Sequence, residues 1–269
     1  LGITGVEDKL QEDVRVSIES IRNAGIQFWM LTGDKIETAC CIAISTSLKT
    51  PQQDFFIMRD MTDTQTMERK LNEFGNNINN QRDQVLVIDG QSIHTVTEYN
   101  ESMFFSLACR VTSVICCRCS PTQKAYITEK IKHYTGKKTL GIGDGGNDVG
   151  MILSADVGVG IVGKEGKQAA LASDFSIYKF KHVTNLLLWH GRNSYKRGAV
   201  MAQFVIHRGL IISIMQMYFS IMFYYVAIPL FNGFLMLGYG TVFTMLPVFS
   251  LVGSFLTRFS TRMSTTTLR

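Results

Sequence analysis

Charged side chains are scarce in this chain and absent from one long stretch of it. They make up 18% of the 269 residues, and residues 209–257 contain none. A single membrane helix requires only about 20 apolar residues, so an uncharged stretch of this length has to fold back at least once. The turn is marked by Pro229, Asn232 and Gly233. We predict two membrane helices within residues 204–256, at about 204–228 and 234–256, and a buried hairpin of a soluble protein is the alternative.

Basic residues flank both ends of this apolar region, and the net charge of the chain is +5. Five precede the region and three follow it, namely Lys179, Lys181, Arg192, Lys196, Arg197, Arg258, Arg262 and Arg269. Because cytosolic flanks of membrane helices are rich in Lys and Arg, we expect both ends of the hairpin in the cytosol. A basic, amphipathic linker is expected at residues 186–203 and a cytosolic tail at 257–269. The charge suits a membrane surface and not nucleic acid.

A disulfide framework is not predicted. The six cysteines are adjacent or nearly so, in segments with the pattern of buried helices or strands: Cys40, Cys41, Cys109, Cys116, Cys117 and Cys119. Cys116, Cys117 and Cys119 could hold a metal, but no second cysteine pair lies at zinc-finger spacing. We therefore favour buried thiols over a metal site. The sequence shows no cleavable signal peptide. It begins with Leu1 and not with Met, so we expect it to be part of a longer protein.

Short apolar runs alternate with helical patterns over the first two thirds of the chain. Strands are predicted at residues 26–31, 85–88, 113–117 and 139–142. Alternating strands and helices predict an α/β domain with a parallel sheet at residues 1–185. Residues 50–83 are polar, and we predict a solvated insertion there that contains one helix.

The most informative motif is a glycine-rich turn directly after the predicted strand at 139–142. It reads Gly143-Asp144-Gly145-Gly146-Asn147-Asp148-Val149-Gly150-Met151. Ligands of parallel sheets bind beyond the carboxyl ends of the strands. The carboxylates of Asp144 and Asp148 and the amide of Asn147 suit a hard cation such as Mg²⁺, and the glycines allow the backbone to approach a phosphate. An acidic turn that only caps the following helix is the alternative.

Two further polar groups follow predicted strands in the same way. Lys124 lies near the start of the helix after strand 113–117, where its charge can meet phosphoryl oxygens, although many such lysines are simply exposed on the surface. The tripeptide Thr32-Gly33-Asp34 follows strand 26–31 and is a weak signal when taken alone. Gly158, Gly160 and Gly163 have the spacing of a dinucleotide fingerprint, but the expected acidic residue is missing, so we interpret them as a glycine-tolerant strand.

A hydroxyl, a lysine and a carboxylate pair, in this order and each at a strand end, resemble haloacid-dehalogenase-like phosphotransferases with a Rossmannoid parallel sheet. With the membrane spans, the resemblance narrows to P-type ATPases and covers about residues 1–252. Several motifs are similar to the lipid-flippase branch: Asp8-Lys9-Leu10-Gln11, Leu31-Thr32-Gly33-Asp34-Lys35, Cys116-Cys117-Arg118, Gly163-Lys164-Glu165-Gly166-Lys167-Gln168-Ala169 and His190-Gly191-Arg192-Asn193-Ser194-Tyr195. Phe204-Val205-Ile206-His207-Arg208-Gly209 resembles the subclass that works without an accessory subunit.

This resemblance implies roles for individual residues. The expected ligands of Mg²⁺ are Asp144 and Asp148. The residues expected at ATP and its phosphates are Thr32, Gly33, Asp34, Arg118, Lys124, Asn147 and Asp148. Among these positions, the resemblance implies catalytic roles for Thr32, Lys124 and Asp144.

Two residues of the first span are expected along the lipid path. Arg208 resembles in position the lysine that flippases carry in this helix, and Gln216, two turns on, would share its face. The alternative for Arg208 is a side chain that extends to the lipid headgroups.

The nucleophile of the family, an aspartate in Asp-Lys-Thr-Gly, does not occur in these 269 residues. We therefore expect the chain to be inactive alone and to need amino-terminal domains of a longer, multi-pass flippase. That protein would hydrolyse ATP with Mg²⁺ and move phospholipid to the cytosolic leaflet of Golgi or endosomal membranes. One alternative is a cation pump of the same superfamily, which would need acidic or several polar groups in its spans. The other is a catalytically inactive membrane protein.

Overall fold

The computed structural model of the chain describes residues 10–80, 83–163 and 167–250. The chain divides into two compact units, Leu1–Leu186 and Leu187–Arg269. Some of the residues considered above lie outside the described ranges, namely Asp8, Lys9, residues 164–166, the end of the second predicted span and the tail 257–269.

In the described part of the first unit, seven strands form two parallel sheets. They are β1 (Phe28–Leu31), β2 (Asp54–Met58), β3 (Gln84–Asp89), β4 (Ser113–Cys117), β5 (Leu140–Gly143), β6 (Val157–Ile161) and β7 (Phe175–Ile177). The first sheet has the order β1-β4-β3-β2 and the second has the order β5-β6-β7, and every neighbouring pair is parallel. The predicted α/β class is confirmed, although the sequence pattern did not predict the division into two sheets.

Helices connect these strands, as parallel pairing requires, and one helix precedes the first strand and another follows the last. They are α1 (Val14–Asn23), α2 (Ile36–Ser45), α3 (Thr64–Asn79), α4 (Gly90–Tyr99), α5 (Glu101–Ala108), α6 (Pro121–Thr135), α7 (Val149–Ser154), α8 (Gln168–Ala172) and α9 (His182–Thr184). A single turn of 3-10 helix, Gly146–Asp148, lies between β5 and α7.

The two inner strands of the larger sheet, β3 and β4, are buried along their whole length. Leu86 and Ile88 pack in a core cluster with side chains of α3, α4 and α5, whereas Val85 and Val87 pack in a second cluster with α1 and α2. Successive side chains of a strand point to opposite faces, so helices cover both faces of this sheet. The carboxyl ends of the strands are left as the edge at which polar residues can gather.

The polar segment 50–83 is not the solvated insertion that we predicted. Its strand β2 pairs with β3 over five residues, and its helix α3 buries Met67, Leu71 and Phe74. The ring centroids of Phe56 and Phe74 are 4.9 Å apart. The high polar content of the segment concealed a short apolar strand and one apolar helix face, which together complete the first sheet and its cover.

The second unit contributes to two helices that are long and apolar enough to cross a membrane, His182–Met222 and Gly233–Ser250. The first comprises α9, a π-helical segment, Asn185–Gly191, and the long α10 (Arg192–Met222). The second begins with α11 (Gly233–Gly238) and a further π-helical segment, Tyr239–Phe243. Helix α10 ends before the predicted residue 228, because Tyr224 and Tyr225 adopt φ angles of 54° and 63°, which a right-handed helix excludes.

The cysteines are only partly buried as a group. Cys116, Cys117 and Cys119 are buried, Cys40 and Cys109 are half-buried, and Cys41 is exposed. Burial raises the pKa of the Cys117 thiol to about 12, so this thiol is protonated at neutral pH. The expectation of buried thiols is confirmed for the three cysteines at the end of β4 and wrong for Cys41.

Candidate functional site

The turn after β1 is held by its own side chains. Thr32 Oγ1 donates a hydrogen bond to Asp34 Oδ2 at 2.8 Å and accepts one from the Asp34 amide at 3.1 Å. The Thr32 amide donates to the Cys116 carbonyl at 2.9 Å, and the Thr32 carbonyl accepts from the Cys119 amide at 3.0 Å. Thr32, Gly33 and Asp34 are therefore fixed beside the end of β4, with Gly33 and Asp34 exposed.

Arg118 lies against this turn. Its amide donates to the Asp34 carbonyl at 3.0 Å, and its φ angle of 49° is left-handed, which is uncommon for a residue other than glycine. A Cβ atom on Gly90 would come within 2.5 Å of the Arg118 carbonyl. Glycine at position 90 therefore permits the sharp change of direction between β4 and α6.

The start of α6 is fixed by a capping box. The Ser120 hydroxyl accepts from the Gln123 amide at 3.2 Å, and Gln123 Oε1 accepts from the Ser120 amide at 3.0 Å. Gln123 Nε2 also donates to the Gly90 carbonyl at 2.9 Å. The roles of Ser120 and Gln123 were not predicted from the sequence, although Ser-x-x-Gln with Pro121 at the first helical position is a known signature of a helix start. These contacts position the next residue, Lys124.

Lys124 forms the central contact of the site. Its Nζ lies 2.8 Å from Asp148 Oδ1, and the two side chains are only 11% and 14% exposed. Lys124 is therefore not a solvated surface lysine. Because Lys124 belongs to α6 and Asp148 follows β5, the ion pair joins the carboxyl edge of the first sheet to that of the second.

The turn after β5 brings the backbone into close contact with Asp148. A Cβ atom on Gly143 would lie 2.3 Å from Asp148 Cβ. The Asp148 amide donates to the Gly145 carbonyl at 3.1 Å, which closes the 3-10 turn. Glycine at position 143 is thus required for Asp148 to reach Lys124.

Asp144 and Asn147 are exposed on the same turn. Within the described ranges, the Asp144 carboxylate forms no hydrogen bond or ion pair, and Asp148 keeps Oδ2 free of Lys124. Mg²⁺ is commonly bound by one or two carboxylates while it retains several waters. These oxygen donors fit that chemistry, whereas no group of three His, Cys, Asp or Glu side chains that could hold a metal by itself occurs in the described part of the chain.

The beginning of β5 is anchored by Asp156. Its carboxylate accepts from the Thr139 amide at 3.0 Å and contacts Lys138 at 3.0 Å and Lys132 at 3.1 Å. The hydrogen bond from the Thr139 backbone and the two lysines hold the pKa of Asp156 well below its usual range. This anchor holds the start of β5, the strand whose far end carries the glycine-rich turn.

The predicted site residues thus fall into two bonded groups. Thr32, Asp34 and Arg118 form one group at the end of β1, and Lys124 and Asp148 form the other. Helix α6 connects them, because it begins three residues after Arg118. Among the described residues, no hydrogen bond or ion pair joins Asp144 or the Asn147 side chain to either group.

The two residues predicted along the lipid path both contact the second membrane helix or the turn before it. Arg208 Nη1 donates to Thr244 Oγ1 at 2.9 Å. Gln216 Nε2 donates to the Ile228 carbonyl at 3.2 Å, and Gln216 Oε1 accepts from the Leu230 amide at 2.9 Å. Both side chains are directed towards the same side of α10.

Comparison with known proteins gives a consistent result. A family described as "Phospholipid-translocating P-type ATPase C-terminal" matches residues 170–265. The chain is 56% identical over 94% of its length to "Probable phospholipid-transporting ATPase IIB" of Homo sapiens, of which it covers 22%. It is 54% identical over 93% of its length to "Phospholipid-transporting ATPase NEO1" of Saccharomyces cerevisiae, with 22% covered. The corresponding values for "Phospholipid-transporting ATPase 2" of Arabidopsis thaliana are 40%, 92% and 23%.

The chain therefore spans about a fifth of the length of the curated relatives that it matches. Identity of this extent covers both the α/β unit and the apolar helices, and the matched family lies across the membrane-spanning end. Over nearly all of its length, the chain is therefore similar to a part of the type IV P-type ATPases, the phospholipid-transporting branch of that superfamily.

Proposed function

We propose that the first unit is part of the phosphorylation domain of an ATP-driven phospholipid flippase, with a haloacid-dehalogenase-like fold. The observation that carries the proposal is the ion pair of Lys124 and Asp148, which is largely buried at the carboxyl edges of the two sheets. Charged side chains are seldom buried without a functional or structural reason. At this edge, a lysine held by a carboxylate is suited to phosphoryl transfer.

Lys124 would stabilise the phosphoryl group as it is transferred. Negative charge on the phosphoryl oxygens is best stabilised by donors that are already in position, because no reorganisation is then needed. Asp148 holds the Lys124 ammonium at 2.8 Å and would keep it oriented in the absence of substrate. Asn147 is exposed beside Asp148 and would donate from its amide to the same phosphate.

Asp144, with the remaining oxygen of Asp148, would hold Mg²⁺. When bound there, the ion would neutralise phosphate charge and orient the transferred group. Thr32, Gly33, Asp34 and Arg118 would border the nucleotide. Five backbone and side-chain hydrogen bonds described above fix the position of these residues, so the Thr32 hydroxyl and the Arg118 side chain start from a well-defined backbone.

The nucleophile would come from outside these 269 residues. Among the described residues, β1 ends the first sheet and β5 ends the second, so each has a neighbouring strand on only one side. The site residues lie at the carboxyl ends of these two terminal strands or beside them. A strand of the complete protein that carries Asp-Lys-Thr-Gly can pair along such an edge and deliver its aspartate to Lys124 and Asp144. Hydrolysis would then proceed through an aspartyl phosphate.

The second unit would belong to the transport path. We propose that phospholipid moves to the cytosolic leaflet, that the α/β unit is cytosolic, and that the protein works in Golgi or endosomal membranes without an accessory subunit. A cation pump is disfavoured because residues 209–257 contain no acidic side chain. Arg208 and Gln216 are the polar residues of this unit that we propose to be required for transport.

A complementation experiment tests the catalytic part of this proposal. The purified chain is mixed with an amino-terminal fragment that carries Asp-Lys-Thr-Gly, and labelled ATP is added with Mg²⁺. We expect an acid-stable, hydroxylamine-labile phosphoenzyme that requires both fragments and is lost with Asp144→Ala. The matched control is Asp54→Ala, because Asp54 is also exposed but lies at the amino-terminal end of β2.

Three outcomes would contradict the proposal. Phosphorylation of the chain by itself would show that its nucleophile lies within these residues. Equal phosphoenzyme levels for Asp144→Ala and Asp54→Ala would remove Asp144 from the Mg²⁺ site. If an active full-length relative is still phosphorylated after the change that corresponds to Lys124→Ala, Lys124 has no role in phosphoryl transfer.

A further inference from the structure

Arg208 donates to two acceptors on the second membrane helix. Its Nη1 lies 2.9 Å from Thr244 Oγ1 and 3.4 Å from the Gly240 carbonyl. Thr244 is only 6% exposed, whereas the side chains around it in the described part of this unit are largely open. The arginine therefore contacts a residue 36 positions further along the chain, and its guanidinium is directed to the neighbouring helix.

The acceptors arise from the π-helical segment. The Thr244 amide donates to the Tyr239 carbonyl, five residues back, at 3.2 Å. The Gly240 carbonyl, four residues back, accepts from the Thr244 hydroxyl at 2.7 Å. Pro247 follows one turn later and cannot donate to the carbonyl of Phe243, which disturbs a regular helix at this point. The π-helical register thus presents a hydroxyl and a carbonyl to Arg208.

Charge makes this contact important for the hairpin. Residues 209–257 contain no Asp or Glu, so the acceptors that Arg208 reaches in this unit are neutral. A cationic side chain beside apolar helices has to find hydrogen-bond acceptors, since an unpaired donor in such surroundings is costly. Thr244 and Gly240 meet this need through a charge-assisted contact, which is stronger than a neutral hydrogen bond.

Gln216 fastens the other end of the same hairpin. It bonds the Ile228 carbonyl and the Leu230 amide, on either side of Pro229. Arg208 and Gln216 are eight residues apart, which places them about 80° apart around the axis of α10, and both contact the chain that follows α10. Polar side chains of α10 therefore hold two parts of the returning chain, the middle of the second helix through Arg208 and the turn before it through Gln216.

We propose that Arg208 is a positioning residue, which sets the register of the second membrane helix against α10 through Thr244 and the Gly240 carbonyl. Its effect on lipid transport, a role that rests on the proposed function, is then exerted through Thr244 and not by contact with phospholipid. If Arg208 contacted phospholipid directly, lipid transport would not need the Thr244 hydroxyl. A positioning role makes transport depend on the Thr244 hydroxyl as much as on Arg208.

A double-mutant cycle tests the contact in the full 269-residue chain in detergent. Arg208→Gln and Thr244→Val should each lower the thermal midpoint, and the double variant should fall no further than the more damaging single variant. Thr241→Val is the matched control, because the Thr241 hydroxyl bonds only the Leu237 carbonyl of its own helix at 2.7 Å. The single variant Thr244→Ser keeps the hydroxyl and should therefore have the thermal midpoint of the parent. Additive effects of Arg208→Gln and Thr244→Val would overturn the proposal.

Lipid-stimulated hydrolysis by the full-length protein in phospholipid nanodiscs tests the role in transport. Arg208→Gln and Thr244→Val should reduce kcat/KM for lipid to a similar extent, about three- to tenfold, and should not be additive. A loss with Arg208→Gln alone, with Thr244→Val equal to Thr241→Val, would show direct lipid contact and overturn the positioning role. If the parent protein shows no lipid stimulation, the proposed function fails, and the thermal cycle still decides whether the contact exists.

Discussion

Replacement of Lys124 by methionine removes the ammonium group and leaves the Asp148 carboxylate without its partner. At an effective dielectric constant of 20, unit charges 2.8 Å apart attract each other by roughly 6 kcal/mol before desolvation is counted. Removal of one partner from a buried pair typically costs about 3–5 kcal/mol. Because the two side chains retain 11% and 14% exposure, we expect the lower end, a loss of about 3 kcal/mol in the free energy of unfolding.

The change can be followed by fluorescence during denaturant unfolding of the chain. Trp29 packs against the core of the first unit, and Trp189→Phe removes the signal of the other tryptophan. The control is Lys132→Met on the same helix. Its side chain is 45% exposed, and its partner Asp156 keeps Lys138, so the expected loss is below about 1 kcal/mol. Equal losses for Lys124→Met and Lys132→Met would refute the argument that the first pair is buried and strong.

Three further results are expected. Gly143→Ala should lower phosphoenzyme formation in the complemented protein about 100-fold, because its Cβ would lie 2.3 Å from Asp148 Cβ, whereas Gly198→Ala, with no atom within 4 Å, should not. Asp156→Asn should lower the urea midpoint at pH 6. The folded-state pKa of Asp156 is held below its ordinary value of 3.8, so the difference in urea midpoint between the variant and the parent should shrink as the pH falls below 3.8. A maleimide at pH 7 should label the exposed Cys41 before the buried Cys117. Mass spectrometry of the labelled peptides measures the order, and earlier labelling of Cys117 would contradict this expectation.

Much of the first unit could be predicted because its buried strands are short apolar runs followed by glycine or polar turns. The strand that precedes Thr32, for example, begins at Phe28 and ends at Leu31, within the predicted range. Strand β2 was missed because Asp54–Met58 stands between polar segments, and only its pairing with β3 shows it to be part of the sheet.

The candidate site could also be predicted only in part, because the sequence does not show which of its side chains touch. The residue types and their order predicted a phosphate-binding edge, since each group follows a strand. The 2.8 Å contact of Lys124 with Asp148 could not be predicted, because it depends on how two sheets meet. The end of α10 at Met222 was also missed, since positive φ angles at two tyrosines carry no sequence signal comparable to glycine.

The terminal positions of β1 and β5 have a practical consequence for handling this chain. A terminal strand presents unpaired N–H and C=O groups along one edge, and such an edge is a template for pairing with another chain. In the described part of the α/β unit, β2 and β7 are terminal strands as well, and together these edges favour edge-to-edge self-association when the chain is produced by itself. A short peptide containing the family's Asp-Lys-Thr-Gly strand, added during refolding, should compete for these edges and increase the yield of monodisperse protein.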